Sequence, residues 1–122
     1  MAAPRKVAPR RGQVYLVDFD PTRGAEIRKT RPAVIIQNDI ANRWSPITIV
    51  AAITSHGDEP LYPTEVLIAR GEAGLQVNSV ALLNQLRSID KARLIRALGA
   101  VTSETMERID RALVLSLGLA RL

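Results

Sequence analysis

The stretch EIRKTRPAVIIQND, residues 26–39, decides the fold prediction. Charged and polar residues lead into an Arg31-Pro32 step, and β-branched and small apolar residues follow. The apolar run is typical of a buried β-strand, predicted over 31–38, with Pro32 at its start, where no ladder donor is required. A residue before proline is held in extended geometry. We therefore predict that Arg31 stands where a basic loop meets a rigid strand.

The remaining sequence predicts further short strands separated by turns. Alternation and β-branched content favour the strands, whereas Asp-Pro and Gly mark the loops. The predicted strands are 13–19, 47–55, 64–69 and 79–89, the last with or without a bulge at Asn84-Gln85. The predicted connections are a long loop over 20–30, a turn or single helical turn over 38–46, and an ambiguous segment over 90–101 that either forms a helical turn at 91–93 before a short strand or does not.

The end of the chain predicts one amphipathic helix. Thr102 is a good N-cap, and Gly118 can end the helix. Its apolar face is formed by Met106, Ile109, Leu113 and Leu117. That face either packs on the sheet or binds a partner, and core packing is favoured. The predicted fold class is mainly β (α+β), a small, strongly curved barrel-like sheet with a C-terminal α-helix.

Charge and length indicate one domain with a basic extension. The 122 residues carry a formal net charge of +5. Residues 1–11 contain four basic residues and no acidic one, which leaves 13 basic and 12 acidic residues in the rest. We predict a disordered basic tail over 1–10 and a single domain over 11–122. The tail either adds salt-sensitive affinity for a polyanion or only aids solubility.

Several kinds of chemistry are excluded by what the sequence lacks. Without cysteine there is no disulfide scaffold, zinc ribbon or thiol nucleophile, which fits a reducing, cytoplasmic setting. The one histidine, His56, excludes a histidine pair within one chain, and its loop position predicts a solvated residue. No apolar run approaches the ~20 residues of a membrane span. No cofactor motif or metal-ligand spacing is present, so we expect neither cofactor nor metal.

A basic cluster and a pair of hydroxyls remain as candidates. The cluster holds Arg23, Arg28, Lys29 and Arg31 against Asp20 and Glu26. Arg31 presents either a planar fork of donors to a phosphate or an ordinary salt bridge, and the residues alone leave both readings open. Thr54 and Ser55 end an apolar strand, where hydroxyls more often form turns.

The ordered motifs resemble one family over residues 11–119. The segments RRGQVYLVDFDPTRGAEIRKTRPAVIIQND, NRWSPITIVAAITS, SVALLNQLRSID and AVTSETMERIDRALVLSLGL are similar to the MazF/PemK (Kid-like) toxins of bacterial toxin–antitoxin pairs. The resemblance implies an SH3-like barrel of the CcdB/PemK type. It also implies a cytoplasmic, metal- and ribosome-independent endoribonuclease (an mRNA interferase), which cuts single-stranded RNA into 2′,3′-cyclic phosphate and 5′-hydroxyl ends.

The same resemblance implies partners and site residues. The expected partners are single-stranded RNA, a MazE-like antitoxin and a second copy in a homodimer, without a membrane. DNA is expected only as a competitor that is not cut, or through operator binding by the antitoxin. The implied catalytic residues are Arg31, Thr54 and Glu26. The implied RNA-binding residues are Phe19, Arg28, Lys29, Asn38, Ser55, Gln85 and Arg87.

A second class of function stays open beside the ribonuclease. The chain could be a non-cleaving protein of the same fold that binds RNA or an antitoxin, or one that poisons DNA gyrase as CcdB does. The set of Glu26, Arg31 and Thr54 favours cleavage, because a gyrase poison has no need of it.

Overall fold

The structure is a computed structural model that describes residues 8–19 and 30–119. Its strands are β1 (Gln13–Asp18), β2 (Thr30–Ile35), β3 (Ile47–Ser55), β4 (Glu65–Ile68), β5 (Ser79–Asp90) and β6 (Leu94–Ala100). Its helices are α1 (Asp39–Trp44) and α2 (Ser103–Ser116), with single 3₁₀ turns at Glu72–Gly74 and Lys91–Arg93. The strands form one antiparallel sheet in the order β4-β5-β3-β2-β1-β6.

The predicted fold class is confirmed, with one refinement to its shape. The protein is mainly β with a C-terminal helix, and its sheet is curved. Within the described residues β4 and β6 do not pair with each other, so the sheet stays open. The predicted loop 20–30 falls outside the described residues except for Thr30, the first residue of β2.

The N-terminal boundary of the folded part lies before Arg11. Residues 1–7 of the predicted tail are outside the described residues. Pro9, however, is buried, and the Arg10 N–H donates to Gln13 Oε1 at 2.7 Å. Arg11 then donates to Asp110 Oδ1 on α2 at 2.7 Å, which ties the start of β1 to the helix.

Strand β2 is the centre of the sheet and differs in its limits from the prediction over 31–38. It begins at Thr30, so Pro32 is its third residue rather than its second. Pro32 pairs with Leu16 of β1, while the ladder to β3 begins only at Ala33. Pro32 therefore lies beyond the end of the ladder between β2 and β3.

Apolar side chains cover both faces of the sheet, which is why three successive residues of β2 are buried. One cluster packs with α2 and includes Val34, Ile53, Leu83 and Ile109. A second cluster lies on the other face and consists of Val17, Ala33, Ile35, Val50 and Ile89, with Tyr15, Phe19 and Leu94 packed against it. We call these the helix face and the open face. Because successive side chains in a strand alternate between faces, cluster membership assigns a face to each strand position.

The chain leaves the predicted strand early because polar side chains build α1. The Asn38 side chain accepts from the Ala41 N–H at 2.8 Å and so caps this helix. Asn42 is fully buried and joins three segments. Its Oδ1 accepts from Thr48 Oγ1 at 2.8 Å and from Gln37 Nε2 at 3.1 Å, and its backbone carbonyl accepts from Lys91 Nζ.

Strand β5 is long because it bends. Ala51 of β3 pairs with Leu86, but Ile53 pairs with Ala81, so β5 has more residues than β3 in the intervening stretch. The extra residues include Asn84 and Gln85, where the sequence suggested a bulge, and both are exposed. The bend therefore presents polar side chains to solvent in mid-strand.

Helix α2 begins and ends where the sequence predicts. The Thr105 N–H donates to Thr102 Oγ1 at 3.2 Å. At the other end Gly118 has φ +67°, and the Leu119 N–H donates to the Val114 carbonyl at 2.9 Å, which is a glycine-terminated C-cap. Ile109 is fully buried, whereas Leu117 is 55% exposed and extends beyond the core. No helix in the described part of the chain is long and apolar enough to span a membrane.

Asn42→Ala is expected to lower the free energy of unfolding by about 2–3 kcal/mol, because Thr48 and Gln37 lose their shared acceptor in a buried site. Urea unfolding measures this change. Asn84→Ala is the matched control: its side chain is exposed, so its effect should stay within about 0.5 kcal/mol. Equal effects of the two substitutions would contradict the role given to Asn42.

Candidate active site

The register of the sheet brings Arg31 and Thr54 together. Strands β2 and β3 pair antiparallel with Ala33 opposite Ala52. Continuing this register by two residues places Arg31 opposite Thr54. The last paired residues are Ala33 and Ala52, so Arg31 and Thr54 lie beyond the ladder, but both line one cleft. Side chains two residues apart on a strand share a face. Since Ala33 belongs to the open-face cluster, Arg31 and Thr54 also lie on the open face.

The pair belongs to a row that crosses the sheet. Val17 of β1 pairs with Arg31, Thr54 pairs with Val80 of β5, and Val80 pairs with Leu67 of β4. Val17 and Val80 are buried, so Arg31 and Thr54 stand between apolar neighbours. The Arg31 side chain is exposed and has no hydrogen bond or ion pair with any residue that the structure describes. Its donors are therefore available to a ligand.

Two clefts meet at the end of β3 and share Thr54 and Ser55. The larger, of about 470 Å³, extends towards the helix face, and we call it the arginine cleft. Its polar lining is Arg31, Thr54, Ser55, Gln76, Ser79 and Arg96. The smaller, of about 350 Å³, lies beside Thr54 and Val80, and we call it the loop cleft. Its wall is formed by the segment from His56 to Glu65.

The two clefts differ in charge. Among the residues that the structure describes, the arginine cleft is lined by two arginines and no acidic residue. Of the same described residues, Glu59 and Glu65 line the loop cleft, and no lysine or arginine does. Hydrogen bonds from the backbone N–H groups of Glu59 and Gly57, with the nearby His56, lower the pKa of the Glu59 carboxyl. Glu59 is therefore ionised at neutral pH, so a phosphate group is attracted to the first cleft and repelled by the second.

A second cluster of predicted residues lies on the same face. The Arg87 guanidinium stacks 5.1 Å from the Phe19 ring centroid and donates to the Phe19 carbonyl at 3.3 Å. Arg87 is in β5 and Phe19 follows β1, so the curl of the sheet joins strands that are not neighbours. Gln85 is exposed on β5, two residues from Arg87. An aromatic ring and a cation are thus presented together beside the Arg31–Thr54 row.

Some predicted site residues are not brought to these clefts. Asn38 lies beyond the opposite end of β2 from Arg31, and its side chain caps α1. Glu26, Arg28 and Lys29 lie outside the described residues. His56 is not the solvated residue that its loop position suggested, because its side chain is only 13% exposed and its Nδ1 lies 4.0 Å from Glu59 Oε1.

Sequence reasoning missed Arg96 and Gln76. Arg96 is on β6 opposite Leu16, and Gln76 follows the 3₁₀ turn Glu72–Gly74. Neither residue lies in a recognisable local motif. Arg96 is brought to the cleft by the order of the strands, and Gln76 is brought there by the packing of its loop. The sequence feature that could have indicated them is a pair of glycines, Gly74 in the turn and Gly99 on β6. Glycine is typical of places where two backbones approach closely.

That close approach forms the wall of the arginine cleft. A Cβ on Gly74 would lie 2.1 Å from the Leu98 carbonyl oxygen, and one on Gly99 would lie 2.7 Å from the Ala73 carbonyl carbon. Gly74 also has φ +75°. The turn and β6 can therefore touch only through glycine. The Glu72 carboxylate also accepts from the Thr102 N–H at 3.2 Å, which fixes the turn to the start of α2.

Within the described residues no group of three histidine, cysteine, aspartate or glutamate side chains is placed to hold a metal ion. The groups available for chemistry are instead guanidinium donors and hydroxyls. Such groups bind anions and stabilise negative charge that develops during a reaction. The arrangement therefore suits a phosphate-containing ligand.

Comparison with known sequences yields one family over most of the chain. The sequence model for PemK-like, MazF-like toxins of type II toxin–antitoxin systems matches residues 10–117. The matched range includes every strand and helix described above. It also includes both Arg31 and Thr54.

Solved structures of similar proteins have the same fold. An endoribonuclease from a mycobacterial species is 27% identical with a TM-score of 0.77, over 95% of this chain and 97% of that one. A mycobacterial endoribonuclease in complex with its cognate antitoxin is 28% identical with a TM-score of 0.77, over 94% and 100% of the two chains. MazE–MazF from Deinococcus radiodurans, at 23% identity with a TM-score of 0.79 over 94% and 100%, adds support for the fold alone.

Gly74→Ala is expected to lower the free energy of unfolding by more than about 2 kcal/mol, because the new Cβ meets the Leu98 carbonyl and the positive φ is unfavourable. Gly71→Ala is the control. Its φ is +93°, but nothing lies within 4 Å of the added Cβ, so only the backbone term of about 1–2 kcal/mol remains. Urea unfolding of both variants measures the difference, and equal losses would contradict the contact between the turn and β6.

Proposed function

The chain belongs to the family of PemK-like, MazF-like toxins of type II toxin–antitoxin systems, and on this premise we propose that it is a sequence-specific endoribonuclease. It cuts single-stranded RNA, chiefly mRNA, in the cytoplasm, without a metal ion and without the ribosome. Cleavage leaves 2′,3′-cyclic phosphate and 5′-hydroxyl ends. A cognate antitoxin neutralises it. The description of similar structures as endoribonucleases, one with its antitoxin, supports the proposal.

The observation that carries the proposal is that Arg31 and Thr54 line the same cleft. One supplies a guanidinium without a partner among the described residues, and the other supplies a hydroxyl, on the same face of adjacent strands. A phosphodiester that lies across β2 and β3 would meet both. Arg96 borders the same cleft and adds a positive charge for a neighbouring phosphate.

The chemistry uses the 2′-hydroxyl of the RNA as nucleophile. Its oxygen attacks the adjacent phosphorus, the bond to the 5′-oxygen breaks, and one proton moves overall from the 2′-oxygen to the leaving 5′-oxygen. Negative charge builds up on the phosphoryl oxygens in the transition state. Arg31 and Thr54 donate hydrogen bonds to these oxygens, an interaction typically worth about 3–4 kcal/mol per donor.

Proton transfer is assigned separately from charge stabilisation. A guanidinium keeps its proton in proteins, so Arg31 is a poor base at neutral pH. We assign it as a stabiliser first and as an acid to the leaving oxygen second. Glu26, which precedes β2 in the sequence, or a water molecule takes the proton from the 2′-hydroxyl.

Recognition of the RNA involves stacking and polar side chains on the open face. Bases of a single strand are free to stack on an aromatic ring, and Phe19 beside Arg87 provides one. Gln85, Ser55, Arg28 and Lys29 are assigned as further RNA contacts. Because the 2′-hydroxyl is the nucleophile, DNA binds but is not cut. The active form is a homodimer, and a MazE-like antitoxin occupies the RNA-binding surface.

Arg31→Ala and Thr54→Ala are each expected to reduce cleavage by about 100- to 1000-fold, since each removes one donor to the transition state. The measurement is cleavage of a long single-stranded RNA in EDTA, with analysis of the fragment ends. Thr54→Ser keeps the hydroxyl and should retain most activity. Arg111→Ala, on the exposed side of α2, should cut as the unmodified protein does.

Intact RNA after incubation with a folded protein, free of antitoxin, would overturn the ribonuclease proposal. The remaining reading would then be a binding protein of the same fold, directed at RNA, antitoxin or gyrase. If Arg31→Ala still cuts RNA, the protein is a ribonuclease but its active site does not lie at Arg31 on β2. Fragments with 3′-hydroxyl ends would exclude attack by the 2′-oxygen.

A further inference from the structure

We propose that the loop cleft is a nucleobase pocket that selects guanine next to the scissile phosphate, with Glu59 as the residue that reads the base. The proposal rests on the ribonuclease function above and assigns a specificity site to it. It depends on three features of the described residues: the position of the cleft, the nature of its walls, and the hydrogen-bonding capacity of Glu59.

The position follows from Thr54. This residue borders both clefts, and its hydroxyl lies on the same face as Val80, which lines the loop cleft. A phosphate held at Arg31 and Thr54 therefore leaves the adjacent nucleotide beside the loop cleft. The cleft, of about 350 Å³, has room for one nucleotide unit rather than a duplex.

The walls suit a flat ring and not a phosphate. Pro60, Leu61, Tyr62 and Val80 provide apolar and aromatic surface. Tyr62 is 72% exposed, so its ring is accessible to a ligand. Aromatic side chains of this kind stack on unpaired bases. The two carboxylates of the cleft repel the RNA backbone, so the base and not the phosphate is expected to enter.

Glu65 is the fixed member of the carboxylate pair. Its Oε1 accepts from the Tyr62 N–H at 2.7 Å, which anchors the loop to the start of β4. Glu59 is the open member. Its side chain is 68% exposed. Its carboxylate is held by contacts within the loop: a long hydrogen bond of 3.4 Å from the Gly57 N–H, one from its own backbone N–H, and His56 Nδ1 at 4.0 Å. Glu59 can therefore turn its carboxylate to a base in the cleft.

The chemistry of an ionised carboxylate selects among the four bases. It offers two neighbouring acceptors and no donor. Guanine presents two neighbouring donors, N1–H and the N2 amino group, on its Watson–Crick edge. Adenine and cytosine each present one amino donor beside an acceptor nitrogen, and uracil presents one N–H between two carbonyl oxygens. Only guanine matches Glu59 at both positions.

The test is mapping of cleavage sites on a pool of RNA with randomised sequence, for the unmodified protein and for Glu59→Gln. The unmodified protein is expected to prefer guanine at one position beside the cut. In Glu59→Gln the ratio of cleavage at guanine to cleavage at other bases should fall about 10- to 100-fold, because a paired set of base contacts is lost. Glu107→Gln, an exposed glutamate on α2, should leave the ratio unchanged.

A short RNA with inosine at the preferred position separates base reading from a structural effect. Inosine lacks the N2 amino group, so its replacement of guanine should slow the unmodified protein and leave Glu59→Gln almost unaffected. If the unmodified protein cuts RNA without a guanine preference, or if Glu59→Gln keeps that preference, the pocket proposal is wrong and the ribonuclease function stands. If no RNA is cut, binding of the guanine and inosine RNAs decides, and equal affinity overturns the pocket as well.

Discussion

The antiparallel pairing of β2 with β3 is the constraint on which the rest of the structure depends. It sets Ala33 opposite Ala52 and, two residues further, Arg31 opposite Thr54. A slip of one residue would send either side chain to the helix face and separate the two groups. Val34 packs in the helix-face cluster, and Ala33 and Ile35 pack in the open-face cluster, so a slip would exchange side chains of different size between two close-packed clusters. The same burial that stabilises the sheet therefore also assembles the candidate site.

The sheet carries its functional groups where its own pairing ends. The ladder from β2 to β3 stops at Ala33, before Pro32, and β3 continues past it to Thr54 and Ser55. Beyond that point β3 no longer pairs with β2, and two clefts open beside Thr54 and Ser55. Because the two clefts have opposite charges, the phosphate of a nucleotide fits beside Arg31 and Arg96. Its uncharged base fits beside Glu59. Electrostatics and shape thus favour one orientation of a bound strand.

Much of the fold could be predicted from local patterns, and the site only in part. The limits of β3, the cap at Thr102 and the end of α2 at Gly118 follow from alternation and capping, which are properties of neighbouring residues. The end of β2 was misplaced because Asn38 and Asn42 hydrogen-bond around α1, a contact that overrides the apolar run. Arg96 and Gln76 were missed because they approach through strand order and a backbone contact between two glycines. Asn38 was assigned to RNA binding, but the structure places it away from Arg31. Glu26, Arg28 and Lys29 remain predictions, since they lie outside the described residues.

The most direct test of the central claim is a crystal structure of the protein with a short RNA that carries a 2′-deoxy sugar at the cleavage position. Such an RNA lacks the nucleophile and stays intact. The claim that Arg31 and Thr54 form the reaction site predicts the scissile phosphate within hydrogen-bond distance, about 3 Å, of both the Arg31 guanidinium and the Thr54 hydroxyl. A phosphate bound elsewhere, with Arg31 turned to a carboxylate of the protein instead, would contradict it.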